Sequence, residues 1–212
     1  MFPELFRFHL FGHLRVVHSY GVMLLLAVAV GTTLAAGLAP RRELRRWDGA
    51  SVALLAVACG VLGSGLLDAA VNWRLLFGGD YMPGLVFYGG VLAAVPAVVL
   101  FARRFRLPLG ALGDIAAVAL PVAHALGRGG CLLGGCCHGG PSGDWPGLVY
   151  TDPRAPAWVV SGGHVALHPV PLYEAGGLLL IATVAAIAFF RGWGRGRLFL
   201  FYAGGYAALR FG

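Results

Sequence analysis

Runs of about twenty mainly apolar residues, long enough to cross the hydrocarbon core of a bilayer, recur along this chain and are divided by short arginine-bearing segments. That repetition constrains the fold more than any other feature. In hydrocarbon every backbone N–H and C=O has to be satisfied within the protein, so such a run closes its own hydrogen bonds as a helix. Spans are expected at about 18–39, 50–72, 84–102, 111–127, 170–190 and 198–212. Charged residues make up 12% of the chain, against about 25% in an ordinary soluble domain, and the mean hydropathy is +0.78. The 34 glycines suit helices packed closely in lipid, where small residues let backbones approach. The expected fold is an all-α polytopic membrane bundle with six spans, forming one membrane domain over 1–212.

A net charge of +7 invites a nucleic-acid reading, but the positions of the arginines exclude it. They cluster at Arg41, Arg42, Arg45 and Arg46, at Arg103, Arg104 and Arg106, and at Arg191, Arg195 and Arg197, each cluster following an apolar run. Basic residues accumulate in cytoplasmic loops, so the odd loops are expected inside and the amino terminus outside. The strongest cluster follows the first run rather than preceding it, which is the reverse of a signal peptide. Residues 1–16 alternate apolar or aromatic residues with Arg7, His9, His13 and Arg15 and are expected to form an interfacial arm. The long connection 128–169 becomes an external cap, and three of the four cysteines lie in it.

Two stretches carry the chemistry. GRGGCLLGGCCHG, Gly127 to Gly139, sets Arg128 among glycines at the end of a span. An arginine so placed suits an anionic headgroup that bare backbone lets approach; the plainer alternative is an arginine snorkelling to water. HPVPLYEAGG, His168 to Gly177, re-enters the membrane and brings Glu174 with it. An intramembrane carboxylate is a functional candidate, with an arginine as its expected partner. Cys131, Cys136, Cys137 and His138 form a third group. Adjacent cysteines fit zinc-site spacing poorly. Small residues packing together is the leading account, with a Cys131–Cys136 disulfide and a metal site as the alternatives.

These stretches carry a resemblance to the prolipoprotein diacylglyceryl transferases. The family signature has the form G-R-x-(G/A)-N-F-x-N-x-E-x-x-G, and Gly127, Arg128, Gly130 and Gly139 fall in register with it. His168, Pro169, Leu172, Tyr173 and Glu174 match a following HPSQLYE-like segment. HSYGVM around Tyr20 is similar to the first-span H-x-Y-G-L-M pattern, and GLVFYGG, residues 84–90, to G-x-S-F-H-G-G. GGYAALRFG resembles the G-x-x-R segment and places Arg210 on a second essential arginine. The departures cluster: Cys131 and Leu132 stand for Asn-Phe, Gly134 for Asn, Cys136 for Glu, and Tyr88 for the histidine proposed as base.

The resemblance implies transfer of a diacylglyceryl group from phosphatidylglycerol to the lipobox cysteine in a prolipoprotein signal peptide. The product is a thioether, and the site would face the periplasm in a bacterial inner membrane. It assigns catalysis to Arg128, Arg210, Tyr88, His168 and Glu174, and substrate contacts to Arg128, Tyr20, Gly127, Gly130, Gly139 and Tyr173. His124, His138 and His168 are the alternative bases. Membrane lipids are the other partners; no metal, cofactor or nucleic acid is expected. The family pattern continues past Arg210 into a further span, so a seventh is expected beyond residue 212. Two rival functions are a membrane thiol-disulfide oxidoreductase using Cys131, Cys136 and Cys137, and a lipid-binding pseudoenzyme of the same fold.

Overall fold

The computed structural model describes residues 2–10, 13–76, 84–143 and 146–211. It is a polytopic helical membrane protein, divided into two compact units, residues 32–115 and residues 1–31 with 116–212. Five helices are long and apolar enough to cross a membrane: α1 (Ser19–Leu38, prolonged by a 3₁₀ turn to Arg42), α2 (Arg46–Val71), α4 (Phe87–Arg104), α5 (Leu109–Gly134) and α7 (Val170–Arg191). A sixth apolar helix, α8 (Leu198–Phe211), is 14 residues long among the described residues. All six expected spans therefore exist as helices.

In the unit 32–115, α2 begins at Arg46, before the expected start, because the Asp48 carboxylate accepts the Arg45 N–H at 2.9 Å and caps the first turn. A one-turn helix, α3 (Trp73–Leu76), follows it. Asp68, buried in α2, accepts the Gly84 N–H at 2.7 Å and the Asn72 side-chain amide at 3.0 Å, which holds the approach to α4. Helices α2 and α4 meet through glycines. A Cβ on Gly90 would lie 2.7 Å from Ser64 Oγ, and one on Gly89 would lie 2.6 Å from Leu67 Cβ. The glycine content thus has the packing use expected of it. At the other end of this unit Arg42 Nε donates to Asp114 Oδ2 at 2.9 Å, with both side chains buried.

In the second unit the amino-terminal arm is a β-hairpin, with β1 (Glu4–Leu10) antiparallel to β2 (His13–His18). Its period-two alternation fits a strand. The Ser19 N–H donates to Pro3 O at 3.1 Å and joins the hairpin to α1. Helix α5 ends at Gly134 instead of at 127, so Arg128 and Cys131 lie on the helix and not in the connection. The glycines that read as breakers are held there by packing: a Cβ on Gly130 would sit 3.0 Å from Met23 Cβ and 3.2 Å from Tyr20 Cδ2 of α1. Past α5 the chain forms a small layer containing α6 (Pro156–Ser161) and a core of Tyr150, Ala157 and Leu167. Leu148 and Leu167 exchange backbone hydrogen bonds at 2.9 Å.

Candidate functional site

Glu174 lies in the second turn of α7 and is only 4% exposed. Two arginines from different helices converge on it. Arg128 of α5 places Nε in direct ion-pair contact with Glu174 Oε2, and Arg210 of α8 donates from Nη1 to Oε1 at 2.5 Å. The Arg128 contact is an ion pair rather than an aligned hydrogen bond. Tyr206, one turn before Arg210, reaches Arg128 with its side chain and meets the His124 ring edge-on at 4.8 Å. A carboxylate alone at this depth is costly, and pairing is its usual remedy. Here, however, two guanidiniums face one carboxylate, which leaves one positive charge. The Arg210 side chain is 52% exposed, and a Cβ on Gly127 would meet nothing within 4 Å, so the cationic group borders open space.

The other expected site residues separate into groups. Gly130 and Tyr20 pack α1 against α5. Gly139 is a backbone position: its N–H donates to His168 O at 2.8 Å, and a Cβ there would lie 3.0 Å from His168 Cβ. The Tyr173 hydroxyl donates to Pro146 O at 3.4 Å and lies 3.2 Å from His168 Nδ1. In the tautomer with hydrogen on Nδ1, that N–H donates to the phenol oxygen and Nε2 keeps its lone pair. His138 is arranged alike, its Nδ1 lying 2.9 Å from the Gly139 carbonyl oxygen, which can only accept. Tyr88 belongs to the other compact unit, in the first turn of α4, where it is 72% exposed with its ring edge-on to Phe87.

The cysteines converge in a way that spacing did not indicate. The sulfurs of Cys131, Cys136 and Cys137 all lie within 4.8 Å of one another, and all three are free thiols. The cause is the end of α5. Gly135, at φ +71°, donates to Leu132 O at 3.3 Å, and Cys136 N–H donates to Cys131 O at 3.0 Å. That pair of bonds is a Schellman closure, which brings the second residue past the helix back against the third from its end. Cys137 then turns with φ +57°, so two adjacent cysteines reach the same point. The Cys131 thiol, followed by burial, pushes the Cys136 thiol above its ordinary range, and burial raises Cys137. Burial likewise raises Tyr150, whose ring lies against the group. The legible signal was Gly134-Gly135 as a helix stop with cysteines at both contact positions.

The family model described as prolipoprotein diacylglyceryl transferase matches residues 6–212. A Dehalococcoides mccartyi protein named phosphatidylglycerol–prolipoprotein diacylglyceryl transferase is 30% identical over 203 residues, which cover 92% of this chain and 75% of that protein. Proteins of the same name from Clostridium tetani and Synechococcus elongatus are 26% identical over 173 residues and 27% over 183, covering 79% and 83% of this chain and 66% and 62% of theirs.

Proposed function

The chain belongs to the prolipoprotein diacylglyceryl transferase family, and on that premise we propose that Arg128, Arg210 and Glu174 form the donor site of a transferase. It moves the diacylglyceryl group of phosphatidylglycerol to a prolipoprotein. The observation that carries the site is the convergence of Arg128 and Arg210 on the buried Glu174. Glu174 brings the two guanidiniums together, and the remaining positive charge faces the accessible side.

A phosphodiester brings one negative charge into this group. As the carbon–oxygen bond to the diacylglycerol breaks, the departing glycerol phosphate gains a second, and fixed guanidiniums stabilise it most at that moment. The acceptor is the lipobox cysteine, which attacks as the thiolate and needs a base because a free thiol has a pKa of about 8.5. We assign the proton to His168, whose Nδ1 lies 3.2 Å from the Tyr173 hydroxyl; the tautomer with hydrogen on Nδ1 receives it at Nε2. A phenol, with an unperturbed pKa of about 10, is the weaker base near neutrality, so Tyr88 is second choice. The arginine distribution supports a site at the outer face of a bacterial plasma membrane.

The test uses the purified chain in phosphatidylglycerol micelles with a prolipoprotein carrying its lipobox. Thioether product and released glycerol phosphate in equal amounts are expected. No conversion, or conversion unchanged when the lipobox Cys is replaced by Ser, overturns the assignment.

A further inference from the structure

We propose that Cys131, Cys136 and Cys137 hold one zinc ion with an open fourth position, and that this position takes the thiol of the acceptor peptide. The second half of this statement rests on the transferase reading above. The first half rests on the cysteines alone.

Three sulfurs lie within 4.8 Å of one another. Zinc–sulfur bonds of about 2.3 Å in a tetrahedron put two sulfurs about 3.8 Å apart, so a contraction of about 1 Å, within reach of side-chain rotation, closes the set. The backbone has already made the difficult approach, through the Schellman closure and the left-handed turn at Cys137. A disulfide would join two of these sulfurs and leave the third thiol beside it, placed to attack and exchange. Thiolates are the ligands that zinc selects among soft donors. Arg128 lies one turn before Cys131 and in contact with it. Tyr20 and Tyr150 also lie against the cluster, and the His138 ring lies 6.2 Å from that of Tyr150.

Three protein ligands and a vacant fourth position are the pattern of catalytic rather than structural zinc. The established chemistry of the family needs a thiolate, and a thiol that coordinates zinc is deprotonated outright. In the resulting step the acceptor sulfur binds the metal and its proton passes through solvent to a base such as the His168 imidazole. The sulfur then attacks the diacylglyceryl carbon, the C–S bond forms, and the C–O bond breaks with its electron pair leaving on glycerol phosphate. No oxidant or reductant is consumed. The cysteines occupy the part of the signature where this chain departs most from its family, and they lie one turn from the donor arginine.

The purified full-length chain, reduced and stripped of metal with a chelator, is titrated with Co²⁺ and, separately, reloaded with Zn²⁺. One Co²⁺ per chain with a thiolate-to-cobalt charge-transfer band is expected, lost in Cys131→Ser and Cys136→Ser. A lipobox peptide should shift the cobalt spectrum, and its Cys→Ser analogue should not. Only a few per cent of a free thiol is ionised at pH 7, so stripping should slow transfer by about thirtyfold at that pH, and Zn²⁺ should restore it. The stripping arm needs no substitution, so a misfolded variant cannot obscure it. Failure to bind Co²⁺, a spectrum that ignores the peptide thiol, or stripped protein that transfers at the loaded rate overturns the proposal. Arg210→Ala separates the two readings: it should keep the cobalt spectrum and lose transfer. Cobalt binding with a peptide-dependent shift but no transfer by any form would sink the transferase reading and leave the metal site standing.

Discussion

Each compact unit buries an arginine against a carboxylate, and the two contacts differ in access. Arg42 and Asp114 meet with side chains 6% and 1% exposed. Arg128 and Arg210 meet Glu174 two to one, at 18% and 52% exposed around a carboxylate at 6%. The first contact is closed to any ligand and joins the turn after α1 to the start of α5 within its unit. The second keeps a positive charge on a side that a lipid phosphate can reach. Burial alone does not mark a functional ion pair.

The largest effect should come from breaking the closed contact. Asp114→Ala removes the carboxylate that meets the buried Arg42 guanidinium, and removing one partner of a buried pair typically costs about 3–5 kcal/mol. Thermal unfolding in detergent should show that loss, while molecules that remain folded transfer at nearly the wild-type rate. A collapse in transfer per folded molecule would make the two contacts functionally alike and break the comparison.

Next in size is the open contact. Arg128→Ala removes a donor aimed at charge that develops in the transition state, which typically costs about 2.7–4 kcal/mol, a hundred- to a thousandfold in rate. Arg128→Lys keeps the charge but replaces a planar fork with a point charge and should lose most of the activity. Here Tm should move little relative to Asp114→Ala, since Glu174 retains Arg210. Near wild-type turnover by Arg128→Ala would remove the site from Arg128 altogether.

Glu174→Gln sharpens the comparison further, because it separates binding from positioning. It leaves both arginines and raises the positive charge of the group, so phosphatidylglycerol should bind no more weakly. The forks lose the carboxylate that aligns them, and misplacement on the order of an ångström can cost up to about a hundredfold in rate. The expected result is kcat down by about tenfold or more, with KM unchanged or lower. A raised KM at unchanged kcat would show Glu174 to be a binding group instead.

Much of this was legible in the sequence. The apolar runs located the five long apolar helices and the shorter α8, and Glu174 with an arginine partner followed from the cost of a carboxylate in the membrane. Arg210 came only through the family resemblance, since nothing local marks a lone arginine after GGYAAL as part of a site. The boundary of α5 was missed because glycine raises helix cost by about 1 kcal/mol, and the packing of Met23 and Tyr20 that outweighs it is tertiary. The cysteine convergence was missed because a ligand-spacing rule describes chains that pass a metal in extended turns. Here a helix terminus folds Cys136 back onto Cys131.

The smallest effect concerns an exposed ion-pair network, which completes the comparison by being neither closed nor ligand-directed. Arg154 donates to Asp152 at 2.7 Å and to Glu4 at 2.8 Å, and Glu4 also accepts from Arg7 at 2.7 Å. It ties the amino-terminal hairpin to the layer that follows α5. The hydrogen bond from Arg154 holds the Asp152 carboxyl down at about 2, and the one from Arg7 lowers Glu4. A carboxyl depressed in the folded state contributes its stability above its unfolded value, and that contribution is lost as pH falls through the folded one. The tie should therefore be intact from pH 8 down to about 4 and fail between about 4 and about 2. Amide hydrogen exchange in β1 and in residues 150–155 is the measurement, because solvent-exposed pairs barely move global stability. Arg154→Ala should show faster exchange in both segments at pH 7, at an unchanged transfer rate, and wild type should converge on it only below pH 4. Faster exchange in wild type on going from pH 8 to pH 6 would point to a histidine, and the carboxylate tie would be wrong.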